Sequence, residues 1–168
     1  MIVNQADGKK PVEKLIDEAN SLFQRNKYYS AFLIYSQAVQ LSDNKSVRAL
    51  LNRSAACLKL EKYNQAFLDA QLVTQLEASN EKAFFRMAKA AYSMRKFGVA
   101  KQSFQQCLLL NKENKEAQLE LEKSNERHNE SLTGSYDFKQ MMQQYLTKQC
   151  LFFDIADYQS DKVSHKAF

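Results

Sequence analysis

Apolar residues recur along this chain with a helical rhythm of three and four, and the rhythm breaks at short polar intervals. Three amphipathic stretches, roughly residues 12–25, 46–60 and 80–94, are each followed by a second that opens on an aromatic residue. An aromatic-x-x-Ala signal occurs at Tyr28 and Ala31, at Tyr63 and Ala66, and at Phe97 and Ala100, spaced by 35 and then 34 residues. Four residues beyond each Ala stand Tyr35, Ala70 and Phe104. Seven beyond stand Ala38, Val73 and Cys107, and ten beyond stand Leu41, Leu76 and Leu110. Offsets of 3, 4 and 7 place these side chains on one helical face.

The stretches that precede these signals carry small residues where two helices must approach closely: Ala19, Ser54 and Ala88. Each unit therefore reads as a helix, a short turn and a second helix. The turns are Asn26-Lys27, Glu61-Lys62 and Arg95-Lys96. The intervals Ser42-Asp43-Asn44 and Ala78-Ser79-Asn80 between units offer N-cap side chains. The units are bounded at 12–44, 46–78 and 80–111. A hairpin cannot bury its apolar face alone, so the three must stack, and the last needs a lid. Residues 115–130 supply a charged cap helix on which Ala117, Leu119 and Leu121 are expected to face inward. Residues 1–11 are expected to be flexible, and 131–168 to form a linker, a short helix and an aromatic tail.

Composition narrows the picture in the same direction. A sheet protein of 168 residues needs many tight turns, yet the chain holds 3 Gly and 1 Pro, which favours long helices. The net charge of +5 biases it toward acidic partners. No run of Lys and Arg exceeds a pair, so specific nucleic-acid binding is not indicated. Cys57, Cys107 and Cys150 are odd in number and far apart, which argues against a disulfide or metal framework. No apolar run approaches the length of a membrane span. A soluble, cytoplasmic chain is expected, with nuclear residence left open.

The period and the small/aromatic pattern of all three units resemble the tetratricopeptide repeat family. The resemblance implies an all-α, right-handed α-solenoid of three helix-turn-helix repeats plus a cap helix. The proline that often ends a unit in the family is replaced near Asp43, Ser79 and Lys112. In such arrays the first helices of the units line a concave groove that holds a partner's peptide segment.

Four polar residues on those helices stand out: Asn20, Asn52, Lys82 and Arg86. Lys82 and Arg86 are four apart and share a face. The set resembles the carboxylate clamp of tetratricopeptide co-chaperones, which grips the C-terminal carboxylate and last Asp of peptides ending Glu-Glu-Val-Asp. Those peptides are the tails of the seventy- and ninety-kilodalton heat-shock chaperones. Four of five clamp positions match, and the fifth, a Lys in the family, is Ile16 here. A charge-assisted hydrogen bond contributes roughly 1.5–3 kcal/mol, so its loss weakens such binding by about one to two decades. Lys14 projects about 200° around the helix from position 16 and does not substitute. The same groove can equally hold a different partner, or none in a purely structural subunit of an assembly.

Gly134 interrupts the helical pattern, and Tyr136-Asp137-Phe138 leads into another amphipathic stretch. With the third repeat and cap, this resembles tetratricopeptide proteins in which the repeats precede a SET-type lysine methyltransferase domain. Asp154-Ile155-Ala156-Asp157-Tyr158 fits the connecting strand of that group; residues 1–168 carry no catalytic domain themselves, and both the front part of a longer protein and a binding module alone are open readings. Tyr136 and Phe138 read equally well as anchors of the tail on the last hairpin. Leu151-Phe152-Phe153 is expected to pack on the solenoid or on a partner. His128 and His165 have no nucleophile or carboxylate pair beside them, and there is no Gly-rich phosphate loop. An independent active site, a cofactor and a metal site are therefore not expected.

Overall fold

The computed structural model describes the backbone of residues 5–133 and the side chains of residues 11–133. Six helices follow one another: α1 (Gln5–Gln24), α2 (Tyr28–Leu41), α3 (Val47–Lys59), α4 (Tyr63–Leu76), α5 (Glu81–Ser93) and α6 (Phe97–Leu110). A seventh, α7, covers residues 115–133. Each of α1 to α5 packs on the helix that follows it, and α3 also touches α1 and α5. The result is an all-α repeat of three stacked hairpins. The chain divides into two compact units, Met1–Arg127 and His128–Phe168. In the second, residues 128–133 are described and are helical. The readings of residues 134–168, including Cys150, Tyr136, Phe138 and His165, lie outside the described residues.

Small residues govern the stack. Ala19, Ser54 and Ala88 on the odd-numbered helices and Ala31, Ala66 and Ala100 on the even-numbered ones are all at 0% exposure. The Ser54 hydroxyl donates to the Ala66 carbonyl at 2.9 Å, so the one polar member of the set is satisfied across its own hairpin. Large side chains fill the spaces between: Ile16, Tyr35, Val39 and Leu50 in one cluster, Phe104 in another. Beside the middle hairpin, Arg53 grips Asp69 through two hydrogen bonds of 2.8 and 2.7 Å. Burial works to lower the Arg53 pKa, and the hydrogen bonds and charge of Asp69 outweigh it, leaving the value raised. Cys57 and Cys107 are buried, and burial first of all pushes their thiols up to about 12 and about 11, so both stay protonated at neutral pH.

The hairpin turns are three copies of one device. Two residues past the end of each first helix stands a residue with positive φ: Asn26 at 59°, Glu61 at 58° and Arg95 at 60°. The following Lys amide donates back to a carbonyl five residues earlier, from Lys27 to Leu22, Lys62 to Cys57 and Lys96 to Ala91, each at 2.9 Å. That is the Schellman closure, which glycine usually makes. Asn tolerates the left-handed region; Glu61 and Arg95 occupy it at a cost.

Several sequence expectations are corrected. Leu41, Leu76 and Leu110 are 56%, 44% and 43% exposed and do not share the buried face of the preceding positions. Ten residues of about 100° turn each of them roughly 80° from its Ala, off the packed face. On α7, Ala117 and Ser124 are buried and Leu121 is half-buried, but Leu119 is 52% exposed, because two residues carry it to the far side of the helix. Helix α3 is capped by Ser46, whose hydroxyl accepts from the Ala49 amide at 3.3 Å, rather than by the 42–44 interval. Asn80 does cap α5, accepting from Ala83 at 3.1 Å. Helix α1 runs from Gln5 through Pro11 to Gln24, so it starts ahead of the amphipathic pattern that opens at residue 12.

The cap is stitched on by Glu81 at the start of α5. Its carboxylate accepts from Asn114 Nδ2 at 2.5 Å and Asn111 Nδ2 at 3.1 Å, while Asn114 Oδ1 accepts from the Ala117 amide at 2.9 Å. The Asn114 and Asn111 hydrogen bonds hold the Glu81 pKa below its ordinary 4.5.

Two stability predictions follow from these contacts. Glu61→Gly and Arg95→Gly each relieve a left-handed L-residue and should raise stability by about 1 kcal/mol, read by urea denaturation. A loss of stability in both would contradict the turn geometry. Because the Glu81 pKa is depressed on folding, its stabilisation is present above pH 4.5 and is lost as pH falls through the lower folded-state value. The difference in melting temperature between wild type and Glu81→Gln should therefore be largest near neutral pH and shrink in acid; a difference that grows in acid would refute the stitch.

Candidate peptide groove

The odd-numbered helices bring three of the four singled-out side chains to one depression. Asn20 on α1, Asn52 on α3 and Arg86 on α5 line a cavity of about 200 Å³ together with Phe23, Tyr35 and Ala55. Lys82 lies not in this depression but in an adjoining cavity of about 570 Å³. Arg86, Phe23 and Ala55 line both. Arg86 thus stands where the two cavities meet to form one trough, with the two amides on one side and Lys82 on the other.

The hydrogen bonds fix how the amides point. The Tyr35 hydroxyl donates to Asn20 Oδ1 at 2.6 Å, and Asn52 Nδ2 donates to the same oxygen at 2.9 Å. The Asn20 oxygen is thereby occupied by two protein donors, and its Nδ2 is left as a donor to other acceptors. Burial pushes the Tyr35 pKa up against the pull of Arg86 and Arg48, which keeps the hydroxyl protonated and donating. Arg86 donates through one nitrogen to the Leu51 carbonyl at 2.5 Å, which leaves most of its five guanidinium N–H donors to other acceptors. Desolvation lowers the Arg86 pKa, yet a guanidinium remains charged at any physiological pH. Lys82 is exposed and has no ion-pair partner among the described residues.

The trough therefore offers open donors from Asn20, Arg86 and Lys82, and the carboxylates that line its larger cavity, Glu81 and Glu116, are already engaged by Asn111, Asn114 and Lys89. Its natural complement is an anion with several oxygens. Ile16, where the family has a fifth cation, is at 0% exposure within the core of the first hairpin. Arg48, on the same helix as Asn52, is drawn away by ion pairs to Glu13 and Asp17. Arg48 therefore does not take the missing place.

Other contributors were not legible in the sequence. Phe23 and Phe85 supply an apolar wall, and Lys89 and Glu116 line the larger cavity beside Lys82. Register alone places Tyr35 with the repeat's aligned face, whereas its hydroxyl also sets the Asn20 amide. No group of three or more metal-ligating side chains occurs among the described residues, and none of the described helices is long and apolar enough to cross a membrane.

No protein-family model matches the chain. It is 37% identical over 123 residues to a methyltransferase of Gibberella zeae, a match covering 72% of this chain. It is 39% identical over 107 residues to protein unc-45 homolog B of Xenopus laevis, a match covering 62% of this chain. The chain spans only 17% and 11% of these two relatives. Among solved structures it resembles the second tetratricopeptide domain of human RPAP3, determined with the HSP70 peptide SGPTIEEVD. The TM-score is 0.67, the identity 32%, and the match covers 70% of this chain and 98% of that one. The chain belongs to the tetratricopeptide-repeat family.

The hydrogen-bond order has a measurable consequence. Tyr35→Phe removes one of two donors to Asn20 and should cost about 1 kcal/mol, whereas Asn20→Ala leaves the Tyr35 hydroxyl without its acceptor and should cost more. Chemical denaturation of both variants checks this; the reverse order would contradict the assigned network.

Proposed function

We propose that this domain is a protein-interaction module that holds the acidic C-terminal segment of a partner in its groove, in the manner of a co-chaperone. The observation that carries the reading is the trough of Asn20, Asn52, Arg86 and Lys82, in which the Asn20 oxygen is already occupied while donors of Asn20, Arg86 and Lys82 stay open. A chain terminus ending in Asp presents two carboxylates close together, which is the chemistry such a trough lacks. The likeness to a tetratricopeptide domain that carries an HSP70 peptide supports a chaperone tail as the partner. With Ile16 in place of a fifth cation, affinity is expected in the tens of micromolar, about a decade below a micromolar clamp.

The test is an anisotropy titration with a labelled peptide ending Glu-Glu-Val-Asp. The free carboxylate should bind at least about tenfold more tightly than the amidated peptide, and the preference should collapse in Lys82→Ala and weaken with added salt. Lys82 is exposed, so its removal leaves the stack intact. Equal binding of free and amidated peptides would sink the proposal.

A second reading has its own support. The match to the Gibberella methyltransferase, together with Tyr136-Asp137-Phe138 after the cap, favours repeats that serve as the interaction region of a larger methyltransferase. Both readings assign the described residues to binding rather than to catalysis.

A further inference from the structure

The larger cavity carries a cation that the clamp does not use. Lys82, Arg86 and Lys89 stand at i, i+4 and i+7 on α5 and line that cavity together. Lys89 differs from the other two in its partners. Its ammonium lies 3.0 Å from the Glu116 carboxylate at the start of α7, and 5.3 Å from the centre of the Phe85 ring. The ion pair is solvent-accessible, with Lys89 40% and Glu116 60% exposed. An accessible pair of this kind contributes little and exchanges readily. The ring contact keeps the ammonium in place when its carboxylate partner leaves.

We infer that Lys89 is a second carboxylate site of the groove, for an acidic side chain upstream of the ligand's terminus, and that Glu116 occupies this site in the free domain as an internal competitor. This inference rests on the peptide-binding reading above. Lys89 follows Arg86 by about 4.5 Å along the helix axis. An extended peptide advances about 3.3 Å per residue, so with the terminal carboxylate at Arg86 a side chain one to three residues upstream comes within reach of Lys89. Glu116 then sets selectivity: a ligand with an acidic residue there displaces one carboxylate with another, while a neutral residue leaves the Lys89–Glu116 pair closed. The cap helix thus contributes to ligand choice besides covering the last hairpin.

The experiment compares two labelled peptides with free termini, one ending Glu-Glu-Val-Asp and one ending Gln-Gln-Val-Asp, against wild type, Glu116→Gln and Lys89→Met. Glu116→Gln should tighten the acidic peptide by about two- to fivefold at low salt and leave the neutral one unchanged. Lys89→Met should remove the discrimination between the two. Helical content and melting temperature, read alongside, should match wild type. If Glu116→Gln changes both peptides equally, or neither, the internal competitor is overturned. If the free terminus still outbinds the amidated one in that case, the peptide groove itself stands. If neither peptide binds, both fall.

Discussion

A buried Ala or Ser stands on each of the first six helices where neighbours pack, and that packing determines nearly everything else. Six small side chains at 0% exposure, one on each of α1 to α6, let each hairpin shut and let the next lie against it. A methylene added at any of them would force the axes apart in a core packed to near-crystalline density. Because the hairpins repeat at nearly constant spacing, the odd-numbered helices fall side by side, and α3 touches both α1 and α5. Asn20, Asn52 and Arg86, 32 and 34 residues apart in sequence, meet only because of that stacking.

The site inherits its electrostatics from the same arrangement. Tyr35 reaches across from α2 with its ring in the core and its hydroxyl on Asn20, so the packing that stabilises the first hairpin also turns an amide toward the groove. Arg86 is anchored to a carbonyl of α3 while its other donors remain open. Pre-set donors of this kind lower the ordering cost of binding, which matters for a groove that lacks one cation. Glu81 ties the start of α5 to the loop before α7, beside Lys82, so cap and groove share a boundary.

The repeat was legible because it is written three times. A single aromatic-x-x-Ala proves little, but its recurrence at Tyr28, Tyr63 and Phe97 marks a register that no generic bundle requires. Helix edges were less legible. Leu41, Leu76 and Leu110 repeat as faithfully as the core residues and yet are exposed, since repetition reports equivalence of position and not depth. The polar start of α1 gave no apolar rhythm to read. At the site, the Asn, Lys and Arg identities were visible by resemblance. The direction of the Asn20 amide, the diversion of Arg48 to Glu13 and Asp17, and the Lys89–Glu116 contact across 27 residues depend on tertiary packing and leave no local signal.

The central claim is that the trough between α1, α3 and α5 receives a free carboxylate terminus. The most direct measurement is a two-dimensional ¹H–¹⁵N NMR titration that follows side-chain signals as an acidic peptide with a free terminus is added. The account predicts that the Asn20 and Asn52 side-chain amides and the Arg86 guanidinium shift together with one saturation curve. Shifts confined to the outer faces of α2, α4 and α6, with those three side chains unmoved, would contradict it.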